Sequence, residues 1–136
     1  MDINVDFTNK SVLVTGGSRG IGKAIALRFA YYGANVILQY IHNKDKAEET
    51  AKEISKLNRE VLVIQANLSH PDHISRMFDE INNWQKGLDF FISNAASGFN
   101  RPGMQQRIEG WNFTMDVNAR AFLLCTQKAV PLMQSR

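Results

Sequence analysis

One cysteine, Cys125, stands in 136 residues, so no disulfide can close within the chain and no zinc cluster can be built on cysteine. It lies in the apolar run "AFLLCTQ", which reads as a small buried hydrophobe. No apolar run approaches the length of a membrane span. The opening "MDINVDFTNK" is polar and carries two aspartates, unlike a signal or transit peptide, so a cytoplasmic protein is expected. There are no internal repeats, low-complexity tracts or linkers. Charge of one sign is also scarce. The formal net charge is +3, and residues 1–93 hold 11 basic and 11 acidic side chains. The excess lies in residues 94–136, as Arg101, Arg107, Arg120, Lys128 and Arg136 against Glu109 and Asp116. These bases form no run and have no interleaved aromatics, which argues against nucleic-acid binding. A slightly basic surface suits an anionic substrate or an acidic partner.

What is present alternates. "SVLVTG" (11–16), "NVILQYI" (35–41), "VLVIQAN" (61–67) and "LDFFIS" (88–93) read as strands. Helices are predicted between them. Residues 20–32 stack Ile21, Ile25 and Phe29, and Gly33 stops that helix. Residues 44–57 place Ala47, Thr50, Ala51, Ile54 and Leu57 on one face. A third helix starts at Ser69 as cap, with Pro71 in its first turn, and ends at Gly87. A loop at 96–103 leads to a last helix over 112–134, apolar around much of its circumference. Such alternation implies βαβ units and a parallel sheet. The length suits one domain, 1–136.

The chemistry starts in "VLVTGGSRGIG" (12–22). A glycine turn at the carboxyl end of a first strand lets backbone approach a diphosphate, and the next helix aims its N–H groups there. The spacing is Thr15-Gly16-x-x-x-Gly20-x-Gly22 rather than G-x-G-x-x-G. This motif resembles the signature of the short-chain dehydrogenase/reductases, and three further segments follow in that family's order. "ANL" (66–68) falls where the family has Asp-Val beside adenine, "SNAAS" (93–97) resembles its Asn-Asn-Ala-Gly motif, and "MDVNARAF" (115–122) resembles the helix bearing its catalytic-tetrad Asn, here Asn118. Asn67 and Ala96 depart from the family's Asp and Gly. "NAASG", with Arg101-Pro102 and Trp111, is similar to the family's NADPH-dependent enoyl-acyl-carrier-protein reductase III branch.

The resemblance implies a Rossmann-type doubly wound parallel sheet of strand order 3-2-1-4. It implies a dinucleotide site on Thr15, Gly16, Ser18, Arg19, Gly20, Ile21, Gly22, Asn43, Asn67, Leu68, Asn94, Ala95 and Ala96, with Asn118 catalytic and no metal. NAD binders place an acid near the end of the second strand, whereas residues 39–44 read Gln-Tyr-Ile-His-Asn-Lys. Arg19, with His42, Asn43 or Lys44 nearby, would meet a 2′-phosphate instead, a charge-assisted bond worth roughly 1.5–3 kcal/mol. NADP(H) is therefore the expected cofactor.

The family's catalytic Tyr and Lys follow a fifth strand. Tyr40 and Lys44 do spell Y-x-x-x-K, but they fall beside the adenosine half of the site. The chain is thus expected to be the cofactor-binding part of a reductase, incomplete at its C-terminus and inactive alone. Its fourth strand would be an open edge, and its last helix an uncovered face. The expected substrate is a small-molecule or acyl-carrier-protein-bound acyl thioester in fatty acid synthesis, with enoyl reduction first and 3-oxoacyl reduction second. A homo-oligomer is expected of the complete protein, with no nucleic-acid or membrane partner. The reading from another class is a non-catalytic nucleotide-binding or interaction module.

Overall fold

The computed structural model describes residues 3–136. Four strands, β1 (Ser11–Thr15), β2 (Asn35–Tyr40), β3 (Val61–Gln65) and β4 (Phe90–Ile92), form one sheet of order β3-β2-β1-β4. Every pairing is parallel, with Leu13 opposite Ile37 on one side of β1 and Phe91 on the other. The expected 3-2-1-4 sheet is what forms. Each strand is one to three residues shorter than its apolar run; β1, β2 and β3 lose their last residues to the loops that carry the site, and β4 also loses Leu88 and Asp89 at its start.

β1 is buried along all five residues. Its alternating side chains enter two separate cores, as in a parallel sheet covered on both faces. Val12 and Val14 pack with Val36 and Leu38 against α1 (Gly20–Tyr31) and α2 (Lys44–Ser55). Leu13 and Ile37 pack with Ile74, Met77 and Ile81 of α3 (Pro71–Gln85), and with Ala121, Cys125 and Ala129. Cys125 is buried as expected, and burial pushes its thiol up to about 12.

Three helical expectations need correcting. α1 buries Gly22, Ala26 and Ala30, whereas Ile21 is 75% exposed. The small-residue face wins because α1 lies tightly over the strands. Ser69 does not cap α3. His70 holds the N-cap position without a side-chain bond, and the Ser69 N–H and hydroxyl both donate to Asn67 Oδ1. At the other end α3 stops at Gln85, with Lys86 as its left-handed C-cap (φ 51°) and Gly87 following at φ 154°.

The last helix starts earlier than expected. α4 (Ile108–Met115) passes through a π-wound segment, Asp116–Arg120, into α5 (Ala121–Gln134). A short 3₁₀ turn, Gly103–Gln105, precedes it. Along this helix Trp111, Met115, Phe122, Leu123 and Val130 remain exposed. β4 pairs only with β1 among the described strands, so it is a sheet edge. No described helix is long and apolar enough to cross a membrane.

Candidate functional site

β1 is flanked by β2 on one side and β4 on the other, so the connections leave it in opposite directions. A crevice opens at the carboxyl ends of the strands at such a switch point. The glycine loop fills its rim. Gly16 turns the chain at φ +63°, and Gly20 opens α1 at φ +58°. A side chain at Gly22 would place its Cβ 2.1 Å from the Gly16 carbonyl oxygen and 2.6 Å from Asn94 Nδ2, so only glycine lets α1 cross the loop this closely. Nothing lies within 4 Å of where a Cβ of Gly20 would be. That side of the loop faces open space.

Four side chains fix the loop. Gln39, 2% exposed, accepts the Gly16 N–H at Oε1 (2.8 Å) and donates from Nε2 to the Ala66 carbonyl (2.8 Å). Thr50 donates to the Ser18 carbonyl (2.7 Å). Thr15 Oγ1 accepts the N–H groups of Asn94 (3.0 Å) and Ala95 (3.1 Å). Asn94 Nδ2 donates back to the carbonyls of Thr15 (3.1 Å) and Gly16 (3.2 Å). The loop is therefore tied to β2, β3, α2 and the end of β4 before any ligand arrives.

The cleft above it has a volume of 570 Å³. Gly16, Ser18, Arg19 and Gly20 form one wall, residues 39–43 the opposite one, and Asn94, Ala95 and Ala96 the end. An adjoining cleft of 210 Å³ continues past Arg19 and Ala96 to Asn67, Leu68, Ser97, Phe113 and Val117. Ten of the predicted residues meet there: Gly16, Ser18, Arg19, Gly20, Asn43, Asn67, Leu68, Asn94, Ala95 and Ala96. Thr15 and Gly22 lie behind the wall as supports, and Ile21 is exposed without lining either cleft. Lys44 lines neither cleft and pairs with Glu48 at 3.7 Å. Asn43 caps α2 by accepting the Lys46 N–H (3.0 Å).

Asn67 is half committed. Its Oδ1 is taken by Ser69, and its N–H donates to His73 Nδ1 (3.0 Å). Asn118 sits in the π-wound segment, a distortion frequent at functional sites. Its side chain accepts the Ser97 N–H and donates to the Ser97 carbonyl, which ties the helix to the loop after β4. Gln39, Thr50 and Phe113 join the site without being marked by any motif. A glutamine inside the apolar run "NVILQYI" is the one available signal.

The site suits an anion. α1 has no side-chain cap and no acid in its first turn, so its leading N–H groups and positive end face the cleft free. No carboxylate of the described residues pairs with Arg19. Open space over Gly20 at the start of α1, and a wall of Arg19, His42 and Asn43 without a carboxylate, are what an anionic ligand requires. The described residues contain no cluster of three His, Cys, Asp or Glu side chains that could hold a metal. Tyr40 lines the cleft beside His42, while Tyr31 and Tyr32 lie at the far end of α1.

Comparison with known proteins gives concordant results. The short chain dehydrogenase profile matches residues 10–136. The 3-oxoacyl-[acyl-carrier-protein] reductase FabG of Staphylococcus epidermidis is 38% identical over 125 residues, which is 92% of this chain and 51% of that protein. The crystal structure of a short chain dehydrogenase from Burkholderia cenocepacia in complex with NADP superimposes with a TM-score of 0.91 at 32% identity, covering 93% of this chain and 52% of that one. L-Sorbose reductase from Gluconobacter frateurii, complexed with NADPH and L-sorbose, gives 0.93 at 27% identity, covering 98% and 51%. The chain spans about half the length of the relatives it matches.

Proposed function

The chain belongs to the short chain dehydrogenase family, and from that premise we propose that it is the cofactor-binding part of an NADPH-dependent reductase of 3-oxoacyl thioesters carried on acyl carrier protein. The observation that carries the cofactor assignment is the cleft wall of Arg19, His42 and Asn43, with no carboxylate among its lining residues. An acid there would repel a 2′-phosphate; a guanidinium attracts it. Gly20 and the start of α1 would take the diphosphate, Asn67 and Leu68 the adenine side, and residues 94–96 the opposite end. When bound, NADPH supplies a hydride.

The chain's own residues bind and orient. Gln39, Thr50, Thr15 and Asn94 hold the glycine loop in place. Asn118 holds Ser97, beside the Asn94–Ala96 end. A positioned acid must meet the oxygen that gains charge. Tyr40 stands on the wall of residues 39–43 with His42 and Asn43, where the 2′-phosphate would lie, and Tyr31 and Tyr32 end α1, so we assign the acid to residues outside these 136, and propose that they alone do not turn over.

Of the two reductions expected from the sequence, the 3-oxoacyl one now leads, because the matched S. epidermidis and S. aureus relatives carry that name. The enoyl reading rests on the local match of residues 94–98 with Arg101-Pro102 and Trp111. We further propose that residues 1–136 act as one dinucleotide-binding unit. The exposed Trp111, Met115, Phe122 and Leu123, with Phe122 stacked on Phe91 of β4, would be covered in a complete homo-oligomer.

The test is NADPH oxidation with acetoacetyl and crotonyl thioesters of acyl carrier protein. It is run with these residues alone and with them joined to the C-terminal half of the S. epidermidis relative. The expected result is reduction of the acetoacetyl substrate by the joined protein only. Preference for crotonyl would restore the enoyl reading. NADPH binding without turnover in either form would favour a non-catalytic module.

A further inference from the structure

Between the loop that follows β4 and the side of α4 lies a third cavity, of 330 Å³, outside the dinucleotide cleft. Phe99 and Phe113 form its apolar part, with ring centroids 5.8 Å apart. Gly110 lets the helix close on this pair, since a Cβ there would lie 3.1 Å from Phe99 Cδ2. Gln106 donates to the Arg101 carbonyl (2.7 Å), which closes residues 101–106 into a fixed ring. The Arg101 guanidinium lies 5.5 Å over the Phe99 ring, and Arg107 stands on the same rim.

Neither arginine pairs with a carboxylate of the described residues. Glu109 also lines the cavity, so the rim carries two positive charges against one negative. Phe113 is shared with the cleft that holds Asn67, Ala96 and Ser97. The cavity therefore adjoins the Ala96–Ser97 corner of the dinucleotide cleft rather than an unrelated surface.

We propose that this cavity seats the phosphorylated pantetheine arm of the acyl thioester, with the apolar stretch of the arm against Phe99 and Phe113 and its phosphate on Arg101 and Arg107. The assignment rests on the carrier-borne thioester reading above. The chemistry is specific in kind. Apolar floor alone would suit any acyl chain, but two unpaired guanidiniums call for an anion at a fixed place. The volume is at the small end for ligand pockets, which suits one arm and not a second dinucleotide.

The experiment is calorimetric titration of the NADPH-saturated chain, so that the cofactor cleft is closed to competitors. The probes are acetoacetyl-4′-phosphopantetheine and acetoacetyl-pantetheine, which differ only in the phosphate. The phosphorylated arm is expected to bind about tenfold more tightly, the size of one charge-assisted bond. In Arg101→Gln/Arg107→Gln the two arms should bind equally, with NADPH affinity unchanged. Both guanidiniums are at the surface loop, so NADPH binding also reports that the variant is folded. Acetoacetyl-acyl-carrier-protein should lose the same factor in the double variant; a loss seen only with acetoacetyl-coenzyme A would overturn the carrier-protein source. Equal binding of the two arms by the parent chain, or a preference that survives the double substitution, would overturn the subsite while leaving the cofactor reading intact. Failure to bind NADPH at all would instead overturn that earlier reading.

Discussion

Gln39 makes the sharpest test of how the site is built. Replacing it with Met keeps the volume and removes both polar contacts. The Gly16 N–H then loses its 2.8 Å acceptor, and the Ala66 carbonyl loses its 2.8 Å donor. At 2% exposure, little water reaches either group in the native structure. A buried polar group left unpaired costs about 1–3 kcal/mol, so two of them set an upper range of about 2–6 kcal/mol. Local relaxation will recover part of this, and about 2–4 kcal/mol is the expected loss in urea unfolding. That is a large share of the stability of a domain this size. NADPH affinity should fall at least tenfold as well, because Gly16 no longer has a fixed position relative to Ala66 and the wall it adjoins. Gln65→Met is the control. Gln65 is exposed and donates only to the Ile41 carbonyl, so its loss should change stability by less than about 0.5 kcal/mol. If Gln39→Met unfolds within about 1 kcal/mol of the parent and binds NADPH equally well, the bridging role is wrong.

Gly22→Ala should abolish NADPH binding or folding, since its Cβ would meet the Gly16 carbonyl oxygen at 2.1 Å and Asn94 Nδ2 at 2.6 Å; a Gly22→Ala variant that folds and binds in calorimetry would refute that tight crossing. Cys125 should resist an aromatic disulfide reagent at pH 8 in the native chain and react once unfolded, because burial holds its thiol at about 12. The same shift has a sign in stability: the thiol ionises near 9.0 when unfolded and near 12 when folded, so its contribution is intact below pH 9 and is lost as pH rises above it. Cys125→Ala should flatten the stability–pH curve in that window, as read by urea titrations between about pH 8 and 10.5.

The sheet was legible because four short runs rich in β-branched or aromatic residues alternate with helical periods, and the first of them, Val12–Val14, runs straight into the glycine turn. The cleft was legible because backbone geometry demands glycine at Gly16, Gly20 and Gly22. What escaped was tertiary. Ile21 looks like a core position by spacing, yet α1 packs through Gly22, Ala26 and Ala30, a choice made by the distance to the strands. Ser69 looks like a cap, yet Asn67 Oδ1 is a nearer partner. Thr50 reads as part of an apolar face and holds Ser18, a contact between residues 32 apart that no local pattern encodes. The π-wound turn at Asn118 has no sequence period of its own.

The central claim is that Arg19 selects the 2′-phosphate. Its measurement is a pair of calorimetric titrations, NADPH and NADH, on the parent chain and on Arg19→Ala. One charge-assisted bond of about 1.5–3 kcal/mol predicts NADPH favoured by roughly ten- to a hundredfold in the parent. Most of that preference should vanish in Arg19→Ala, with NADH affinity nearly unchanged. Equal affinity for the two cofactors in the parent chain, or a preference untouched by the substitution, would contradict the account.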